Sequence, residues 1–338
     1  MKILMTGAAG LLGGETAARL VARGHTVTAL VHRNREVLAN DGSPVAIADA
    51  IACDIAEPLL GLDEALAGRL AASHDMLVHV AATTRFDLPD EEYDRTNRGG
   101  AANAVALARL GGMRLLHVST AYVCGDRNGR VAEGDPLPEN GFANGYEASK
   151  AAAERLVRES GLDWIIARPS IVTGDSATGA IRHFDTIYAA FKLIAEGRVK
   201  HMEARRGATL DFVPIDHVCG ALADLAENFD TAKNAAYHLV SGQPVPVETF
   251  ASAIGAFPQF SAPDLVDPAD FDPAALPALE RRLYRRVAGL YASYFQRDPR
   301  FDDARLRAVT GRTCPPTGAA YLQRLIEFCI AEGFLPAA

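Results

Sequence analysis

The chain has 338 residues, of which 49% are hydrophobic, and this is enough to form a well-buried core. Its formal net charge of -8 argues against a nucleic-acid-binding protein, because such proteins usually carry a basic surface. The five cysteines include no CxxC pair or Cys/His cluster, so we expect no disulfide, no metal site and a cytoplasmic location. The sequence lacks an apolar run that could span a bilayer, and we expect no signal peptide before the opening strand.

The first half of the chain alternates strand patterns with helix patterns. Short and almost fully apolar runs predict strands at residues 2–6, 26–31, 45–53, 75–80, 114–118 and 164–167. Amphipathic patterns between them predict helices at residues 11–23, 90–110 and 146–159. Apolar strands separated by helices are typical of a parallel sheet that is covered on both faces. The predicted fold class is therefore α/β, with a Rossmann-type doubly wound parallel sheet.

The pattern changes after Gly174, where strands become sparse. Apolar runs at 210–213 and 236–240 predict strands that return to the sheet. Helical patterns close the chain at residues 276–295, 302–309 and 318–332. We therefore predict a Rossmann domain at 1–174, to which 207–243 returns, and a smaller, mostly helical substrate-binding region at 175–206 and 244–338.

A glycine-rich turn follows the first strand and opens the first helix. Its residues run Thr6-Gly7-Ala8-Ala9-Gly10-Leu11-Leu12-Gly13. In a dinucleotide-binding turn, the first glycine permits the tight turn, the second admits a pyrophosphate, and the third lets helix and strand pack closely. The phosphates would lie against the free backbone amides at the helix N-terminus, so Gly7, Ala9, Gly10, Leu11 and Leu12 are candidate cofactor contacts. The alternative is a glycine-rich turn that binds no ligand.

The end of the second strand bears on the choice between NAD and NADP. An acidic residue there would bind the ribose hydroxyls of NAD, but this chain has His32-Arg33-Asn34-Arg35. His32, Arg33 and Arg35 therefore favour the 2′-phosphate of NADP(H), although a solvated basic loop would have the same sequence. After the third and fourth predicted strands, further candidate contacts are Asp54 and Ile55 for the adenine, and Ala81, Ala82 and Thr83 for close passage of the cofactor.

Three residues supply the groups for a proton transfer. Tyr146 and Lys150 are one helical turn apart, so they share a helix face. A nearby ammonium favours the phenolate form of a tyrosine, which lets Tyr146 exchange a proton with a carbonyl oxygen as a hydride moves. Thr120 can hold that oxygen, and Lys150 would also reach the nicotinamide ribose. A helix carrying Tyr and Lys is common by chance, and the added Thr120 makes a redox site the better interpretation.

These residues resemble the extended short-chain dehydrogenase/reductase family over most of residues 1–240. The motifs that carry the resemblance are Thr6 to Gly13, Asp54-Ile55, His79-Val80-Ala81-Ala82, Asn97, Val118-Ser119-Thr120-Ala121, Tyr146 to Lys150 and Arg168-Pro169-Ser170-Ile171-Val172. Within that family the chain looks similar to the thioester reductase and fatty acyl reductase branch. The stretches that carry this second resemblance are His79 to Phe86, Ser119 to Val123, Asn144 to Lys150, Arg168 to Gly179 and Phe212 to Val218.

The resemblance implies an NADPH-dependent reduction of an acyl thioester to an aldehyde or alcohol. It gives Thr120, Tyr146 and Lys150 the catalytic roles, assigns Asn97 either to a proton relay or to helix packing, and puts Pro169, Ser170 and Ile171 beside the nicotinamide. Ketone and aldehyde reductases, hydroxysteroid-type dehydrogenases and NAD-dependent sugar-nucleotide epimerases use the same catalytic residues, so they stay as alternatives. A non-enzymatic NADP-binding sensor is a further alternative, although a sensor has no need of all three residues.

Some remaining features bear on partners and metals. Arg281, Arg282, Arg285 and Arg286 form either a solvated helix face or a docking site for an acyl-carrier protein or a coenzyme A thioester. We interpret Cys124 as a packing residue, and His79 and His117 as hydrogen-bonded core residues rather than metal ligands. A homodimer is compatible with the sequence but is not indicated by any motif.

Overall fold

The computed structural model describes residues 1–184 and 186–338. The strands are β1 (Lys2–Thr6), β2 (Thr26–Val31), β3 (Asp49–Ala52), β4 (Met76–His79), β5 (Arg114–Val118), β6 (Gly129–Val131), β7 (Trp164–Pro169), β8 (Ile171–Thr173), β9 (His201–Glu203), β10 (Thr209–Leu210), β11 (Phe212–Pro214), β12 (Ala235–Leu239), β13 (Val245–Pro246), β14 (Asp264–Val266) and β15 (Pro299–Phe301). The α-helices are α1 (Leu11–Ala22), α2 (Glu64–Ser73), α3 (Asp90–Tyr93), α4 (Gly99–Gly111), α5 (Gly145–Arg158), α6 (Thr186–Ala195), α7 (Ile215–Glu227), α8 (Phe229–Ala232), α9 (Val247–Gly255), α10 (Ala278–Leu283), α11 (Gly289–Gln296), α12 (Ala304–Thr310) and α13 (Ala319–Ala331).

Seven parallel strands form the central sheet, in the order β12-β7-β5-β4-β1-β2-β3. Its inner strands are almost fully buried; Ile3, Leu4 and Met5 of β1, for example, are inaccessible to solvent. From β1 the chain runs outward to β2 and β3, and then returns to place β4 on the other side of β1. This reversal leaves a crevice at the carboxyl ends of β1 and β4, the usual ligand position in a doubly wound sheet. The predicted fold class is confirmed.

Helices cover both faces of the sheet. The core on one face includes Ala17 and Leu20 of α1 and Val218 and Leu222 of α7, and these two helices pack together. The core on the other face includes Leu70 from α2, Leu107 from α4 and Val157 from α5. Both faces of each inner strand are therefore apolar, which explains why the strand runs in the sequence show little alternation.

A third core lies beside the carboxyl end of the sheet. It is formed mainly by buried residues from the segment after β7, such as Phe250 and Leu335, together with Tyr122 and a few other residues that precede β7. Aromatic side chains fill much of it, including Phe212, Tyr294 and Tyr321. This core packs the short strands and the late helices against the same edge of the sheet at which the crevice opens.

Four predicted elements differ from the structure. Strand β3 covers only Asp49–Ala52, because the Val45 amide donates to the Val37 carbonyl outside the sheet and the chain first meets the sheet at Ala48, which donates to the Val27 carbonyl over 2.8 Å. The predicted strand at 210–213 does not join the central sheet; it divides into β10, which pairs with β13, and β11, which pairs with β8. The predicted helix 276–295 is divided by a π-turn at Tyr284–Ala288.

The predicted helix 90–110 also contains a π-turn, at Asp94–Arg98. Inserted π-turns are rare and occur often near functional sites. Among the residues that the structure describes, no helix combines the length and apolar character that a membrane crossing requires.

Candidate active site

A cavity of about 940 Å³ opens at the carboxyl ends of the central strands. Residues that end four neighbouring strands, or follow directly on them, line it: Gly7 after β1, Val80 after β4, Val118 at the end of β5 and Pro169 at the end of β7. Residues at the starts of helices α1 and α5 line it as well, among them Leu11 and Tyr146. The topology of the sheet therefore fixes the position of the cavity.

The glycine turn has the close packing that the sequence predicts. Gly7 adopts a positive φ of 71°, and a Cβ added to it would lie 2.7 Å from the backbone nitrogen of Ala81. A Cβ on Gly13 would lie 2.1 Å from the carbonyl oxygen of Gly7, so helix α1 could not approach β1 with a larger residue there. The turn itself is closed by the Gly10 amide, which donates to the Gly7 carbonyl over 2.9 Å.

The N-terminus of α1 faces this cavity, because Gly10, Leu11 and Leu12 all line it. The N-cap residue is Gly10, so no N-cap side chain accepts from the first amides of the helix. The first turn of the helix also contains no acidic residue. Backbone amides at such an end attract an anion, and the helix dipole adds to that attraction. The cradle left by the three glycines and the free helix end fit the pyrophosphate of a dinucleotide.

The basic segment after β2 is only partly at the cavity. His32 and Arg33 line it, together with Asp54 and Ile55. Arg35, in contrast, donates to the carbonyl oxygen of Ala50 over 2.8 Å and is absent from the lining. The His32 Nε2 atom lies 3.8 Å from the Asp54 carboxylate, and both side chains are largely exposed. Of the two arginines in this segment, only Arg33 borders the cavity.

The other predicted contacts fall into two groups. Ala81, Ala82, Thr83, Pro169, Ser170 and Ile171 line the cavity. Ala9 lies in the glycine turn but is not part of the lining. Ser170 is fixed by a 2.5 Å hydrogen bond that its hydroxyl donates to Asp211, a buried carboxylate that also accepts from Ser241.

Lys150 is nearly inaccessible to solvent and lines the inner end of the cavity. Its Nζ donates to the carbonyl oxygen of Val118, the last residue of β5, over 2.7 Å. Burial lowers the pKa of this ammonium to about 8, and the Glu154 carboxylate one turn along α5 opposes that shift. Glu154 is in turn paired with the buried Arg168 guanidinium by hydrogen bonds of 2.7 and 2.8 Å.

Tyr146 and Thr120 line the same cavity as Lys150. Tyr146 lies in the first turn of α5, whose N-cap Asn144 accepts a hydrogen bond from the Glu147 amide over 3.0 Å. The helical spacing places Tyr146 and Lys150 on one face, and both border the cavity as the sequence predicts. The Thr120 hydroxyl accepts from the Tyr122 amide over 3.3 Å and donates to the Pro169 carbonyl over 3.4 Å, which holds it at the cavity wall.

Asn97 lies in the π-turn and is buried, but it does not line the cavity. Its side-chain oxygen accepts from the Thr83 amide over 2.9 Å, and its nitrogen donates to the Thr83 carbonyl and to the Ser149 hydroxyl. Ser149 donates to the Tyr146 carbonyl over 2.8 Å. These contacts brace the loop after β4 against the helix that carries Tyr146.

The two strand histidines differ from each other. His79 forms a hydrogen bond with the Thr6 hydroxyl over 2.8 Å, as expected for a core residue. For His117 the prediction of a hydrogen-bonded core residue is wrong, because neither ring nitrogen finds a partner among the described residues. The two rings stack with centroids 5.4 Å apart, and burial, together with the Lys150 ammonium, lowers both pKa values, that of His79 to about 3.

Metal ligands and the Cys124 thiol are the remaining candidates for chemistry at the site. Among residues 1–184 and 186–338 no group of three histidine, cysteine or acidic side chains could hold a metal ion. Cys124 is buried and is not part of the cavity lining. Burial raises the pKa of its thiol to about 11, which agrees with the packing role predicted for it.

Sequence reasoning missed part of the lining. Glu92 and Arg95, which are paired over 3.0 Å, and His183 border the cavity, and so do three aromatic residues, Phe86, Tyr291 and Tyr294. Phe86 belongs to a stretch that already resembled the reductase branch. Tyr291 and Tyr294 come from α11, and only the tertiary fold brings that helix to the cavity.

The doubly wound sheet, the glycine turn and the three catalytic candidates at one cavity define an oxidoreductase of the extended short-chain dehydrogenase/reductase class. A family model described as male sterility protein matches residues 5–222. The chain therefore belongs to the male sterility protein family, and the family resemblance seen in the sequence is confirmed.

Relatives and solved structures give the comparison more detail. The chain is 31% identical over 267 residues to a 4-hydroxy-2-methyl-3-oxo-4-farnesyl-3,4-dihydroquinoline-1-oxide ketoreductase of Stigmatella aurantiaca, covering 75% of this chain and 72% of that protein. It is 29% identical to fatty acyl-CoA reductase 1 of Arabidopsis thaliana, covering 57% of this chain and 51% of that protein. The structure of the terminal R domain from the myxalamid PKS-NRPS biosynthetic pathway matches with a TM-score of 0.81 at 26% identity, over 99% of this chain and 92% of that one. Several other relatives are peptide or hybrid synthetases, of which the chain spans 25% or less.

Proposed function

We propose that the protein is an NADPH-dependent reductase that acts on a carbonyl group, with an acyl thioester as its substrate. The observation that carries this proposal is the position of Thr120, Tyr146 and Lys150 on the cavity that begins at the glycine turn. The glycine cradle and the first turn of α1 would hold the pyrophosphate, and residues 169–171 would border the nicotinamide. NADPH supplies a hydride when bound.

The chain's own residues would manage the charge on the substrate oxygen. Thr120 holds the carbonyl oxygen by a hydrogen bond, and that oxygen becomes negative as its carbon receives hydride. Tyr146 donates a proton to it, and the Lys150 ammonium stabilises the resulting phenolate. When the C–S bond of the hemithioacetal then breaks, the thiol leaves with a proton and an aldehyde remains. A second hydride transfer to the aldehyde would give the alcohol.

Two comparisons support the choice of a thioester. The likeness to the terminal R domain extends over nearly the whole of both chains, and a second relative is named a fatty acyl-CoA reductase. The proposed substrate carriers are therefore coenzyme A or an acyl-carrier protein. Arg282, Arg285 and Arg286 are exposed on the segment that leads into α11, and they offer positive charge to such an acidic carrier. We place the protein in the cytoplasm.

A ketone is the second candidate substrate. The relative with 31% identity is named a ketoreductase, and this chain covers 72% of it. The catalytic residues would act on a ketone in the same way, except that no thiol would leave. The two candidates therefore differ in product, not in the residues that they require.

We also propose that separate parts of the chain bind the cofactor and the substrate. Residues 1–174 and 207–243 would bind the cofactor, and residues 175–206 and 244–338 would bind the substrate. This division is supported by the glycine turn in the first part and by Tyr291 and Tyr294, which border the cavity from the second.

NADPH oxidation against a panel of acyl-coenzyme A, carrier-bound acyl, aldehyde, ketone and nucleotide-sugar substrates, with product masses, tests the reaction. We expect an aldehyde or alcohol from a thioester.

Tyr146→Phe should lower turnover by about 10²- to 10⁴-fold and retain cofactor binding, because only the proton donor is lost. Tyr237→Phe is the matched control, since its phenol donates to the Ala232 carbonyl away from the cavity. Turnover of ketones alone would replace the thioester by the second candidate, and full activity in Tyr146→Phe would refute the proton donor.

Arg33 tests the choice of cofactor. Arg33→Ala should weaken NADPH binding and leave NADH binding almost unchanged, because only NADPH carries the 2′-phosphate. Arg35→Ala is the control, since that guanidinium contacts the Ala50 carbonyl instead of the cavity. Fluorescence titration with both cofactors gives the dissociation constants. Tighter binding of NADH to the unaltered protein would exclude the NADP assignment, and equal losses in Arg33→Ala would exclude Arg33 as the phosphate contact.

A further inference from the structure

Three aromatic side chains stand around the candidate proton donor. Phe86 follows β4, and Tyr291 and Tyr294 belong to α11; all three line the cavity with Tyr146. The ring centroid of Phe86 lies 5.5 Å from that of Tyr146, 5.3 Å from that of Tyr291 and 5.9 Å from that of Tyr294. We call Phe86, Tyr291 and Tyr294 the aromatic wall.

The rings of the wall share a broadly common orientation. The planes of Tyr291 and Tyr294 are inclined by 21°, those of Phe86 and Tyr294 by 27°, and those of Phe86 and Tyr146 by 33°. Phe86 and Tyr291 are inclined more steeply, by 46°. Aromatic rings at centroid distances of about 4.5–7 Å attract one another in offset or tilted arrangements. A further flat group beside Tyr146 would extend this stack.

The wall is held firmly from behind. Tyr294 is buried, and the ring of Tyr122 packs edge-on against it with centroids 4.4 Å apart. The Arg297 guanidinium lies 5.4 Å from the centre of the Tyr294 ring and is fixed by the buried carboxylate of Glu147. The wall cannot readily re-form around a puckered ring or a saturated chain, because moving Tyr294 would give up its ring contacts with Tyr122 and with the fixed Arg297 guanidinium.

We infer that the cavity selects substrates in which the reacting carbonyl is attached to a flat, conjugated group, such as an aryl or polyene acyl chain. This inference rests on the proposed function for the position of the carbonyl at Tyr146. The flat group would lie against Phe86 and Tyr294, and the wall would discriminate by ring stacking rather than by hydrogen bonds.

A pair of unreactive ligands tests the inference independently of turnover. The probes are amide analogues of benzoyl-pantetheine and cyclohexanecarbonyl-pantetheine, which have the same number of ring carbons but differ in flatness. Their dissociation constants are measured by calorimetry with the cofactor-saturated protein and with its Phe86→Leu and Phe184→Leu variants. Phe184 is the matched control, because it stacks on Phe334 with centroids 4.2 Å apart and is not part of the cavity lining.

We expect the benzoyl analogue to bind more tightly, and Phe86→Leu to reduce that preference by roughly 2- to 12-fold while Phe184→Leu preserves it. Equal affinities in the unaltered protein, or a preference that survives Phe86→Leu, would overturn the inference. A Phe86→Leu variant that loses cofactor affinity but keeps the preference for the benzoyl analogue would also overturn the inference, because Phe86 would then contact the nicotinamide rather than the substrate. Turnover of the two corresponding thioesters is measured in parallel, so that a failure of thioester reduction is seen separately from a failure of ring selection.

Discussion

Lys150 is a buried lysine in contact with a backbone carbonyl, and its pKa of about 8 has a consequence for stability. The ordinary value is 10.5, so between about pH 8 and 10.5 the unfolded chain binds a proton at this residue that the folded protein has released. Stability attributable to Lys150 therefore rises with pH across that window, by on the order of 3 kcal/mol in total.

Lys150→Met removes the titrating group and retains an unbranched side chain of similar length. We expect the difference in unfolding free energy, unaltered protein minus variant, to increase from pH 8 to pH 10.5 when both are unfolded by urea. Taking the difference cancels the contributions of the buried cysteines and tyrosines, which titrate at neighbouring pH values in both proteins. Parallel profiles across this range would show that the folded protein keeps Lys150 protonated.

The residues of the site divide into those that local rules could predict and those that they could not. Gly7 and Gly13, and the pair Tyr146 and Lys150, follow from a turn type and from the helical repeat, which depend only on neighbours in sequence. Tyr291 had no such signal, because its place at the cavity depends on how a distant helix packs. Arg33 and Arg35 could not be told apart from the basic loop sequence, because only the fold shows that Arg35 donates to the Ala50 carbonyl while Arg33 borders the cavity.

At the scale of elements, α1 depends on the absence of a side chain at Gly13. A Cβ there would lie 2.1 Å from the Gly7 carbonyl oxygen, so Gly13→Ala must shift the helix or the turn. We expect a loss of roughly 1–3 kcal/mol in stability and at least a tenfold weaker affinity for the cofactor, because the amides that would hold the pyrophosphate move with the helix.

Gly68 provides the comparison for this substitution. It lies within α2, and an added Cβ would meet no atom within 4 Å among the described residues. Gly68→Ala should therefore raise the melting temperature slightly, since alanine favours a helix by up to about 1 kcal/mol. Calorimetry and cofactor titration of both variants check the pair; a Gly13→Ala variant with normal cofactor affinity would contradict the close-packing argument.

The elements that the sequence predicted well are long or strongly patterned. The central strands and α1, α4 and α5 are examples, because burial on both faces gives a strand a continuous apolar run and burial of one stripe gives a helix a repeating apolar pattern. The strands outside the central sheet have only two or three residues, which is too short for a period to appear. The π-turn at Asp94–Arg98 also left no signal, since one extra residue in a helical turn scarcely changes the apolar pattern.

At the scale of the whole molecule, a buried ion pair joins the helix of Tyr146 to the segment after α11. Arg297 donates to both carboxylate oxygens of Glu147, and neither side chain has appreciable solvent exposure. Removing one partner of a buried pair leaves the other charge uncompensated, which typically costs about 3–5 kcal/mol. We expect Arg297→Met to lower stability by that amount, measured by urea unfolding, and to reduce turnover by disturbing the position of Tyr146.

Arg300→Met is the control for this prediction. Arg300 pairs with Asp298 over 3.0 Å at the surface, with 60% of its own side chain exposed, and such pairs contribute about 0–1 kcal/mol. The Arg297 variant should therefore be clearly less stable than the Arg300 variant. Equal stabilities would mean that the buried pair does not hold the two parts of the molecule together.

The same ion pair gives the order in which the site can be completed. Glu147 and Arg297 are 150 positions apart, so the contact closes a long loop of chain, and closing such a loop has a large entropic cost that later contacts must offset. During synthesis the glycine turn, Thr120, Tyr146 and Lys150 leave the ribosome well before Tyr294 and Arg297 do. The glycine turn, Thr120, Tyr146 and Lys150 can therefore come together in a nascent chain before Tyr291 and Tyr294 complete the aromatic wall.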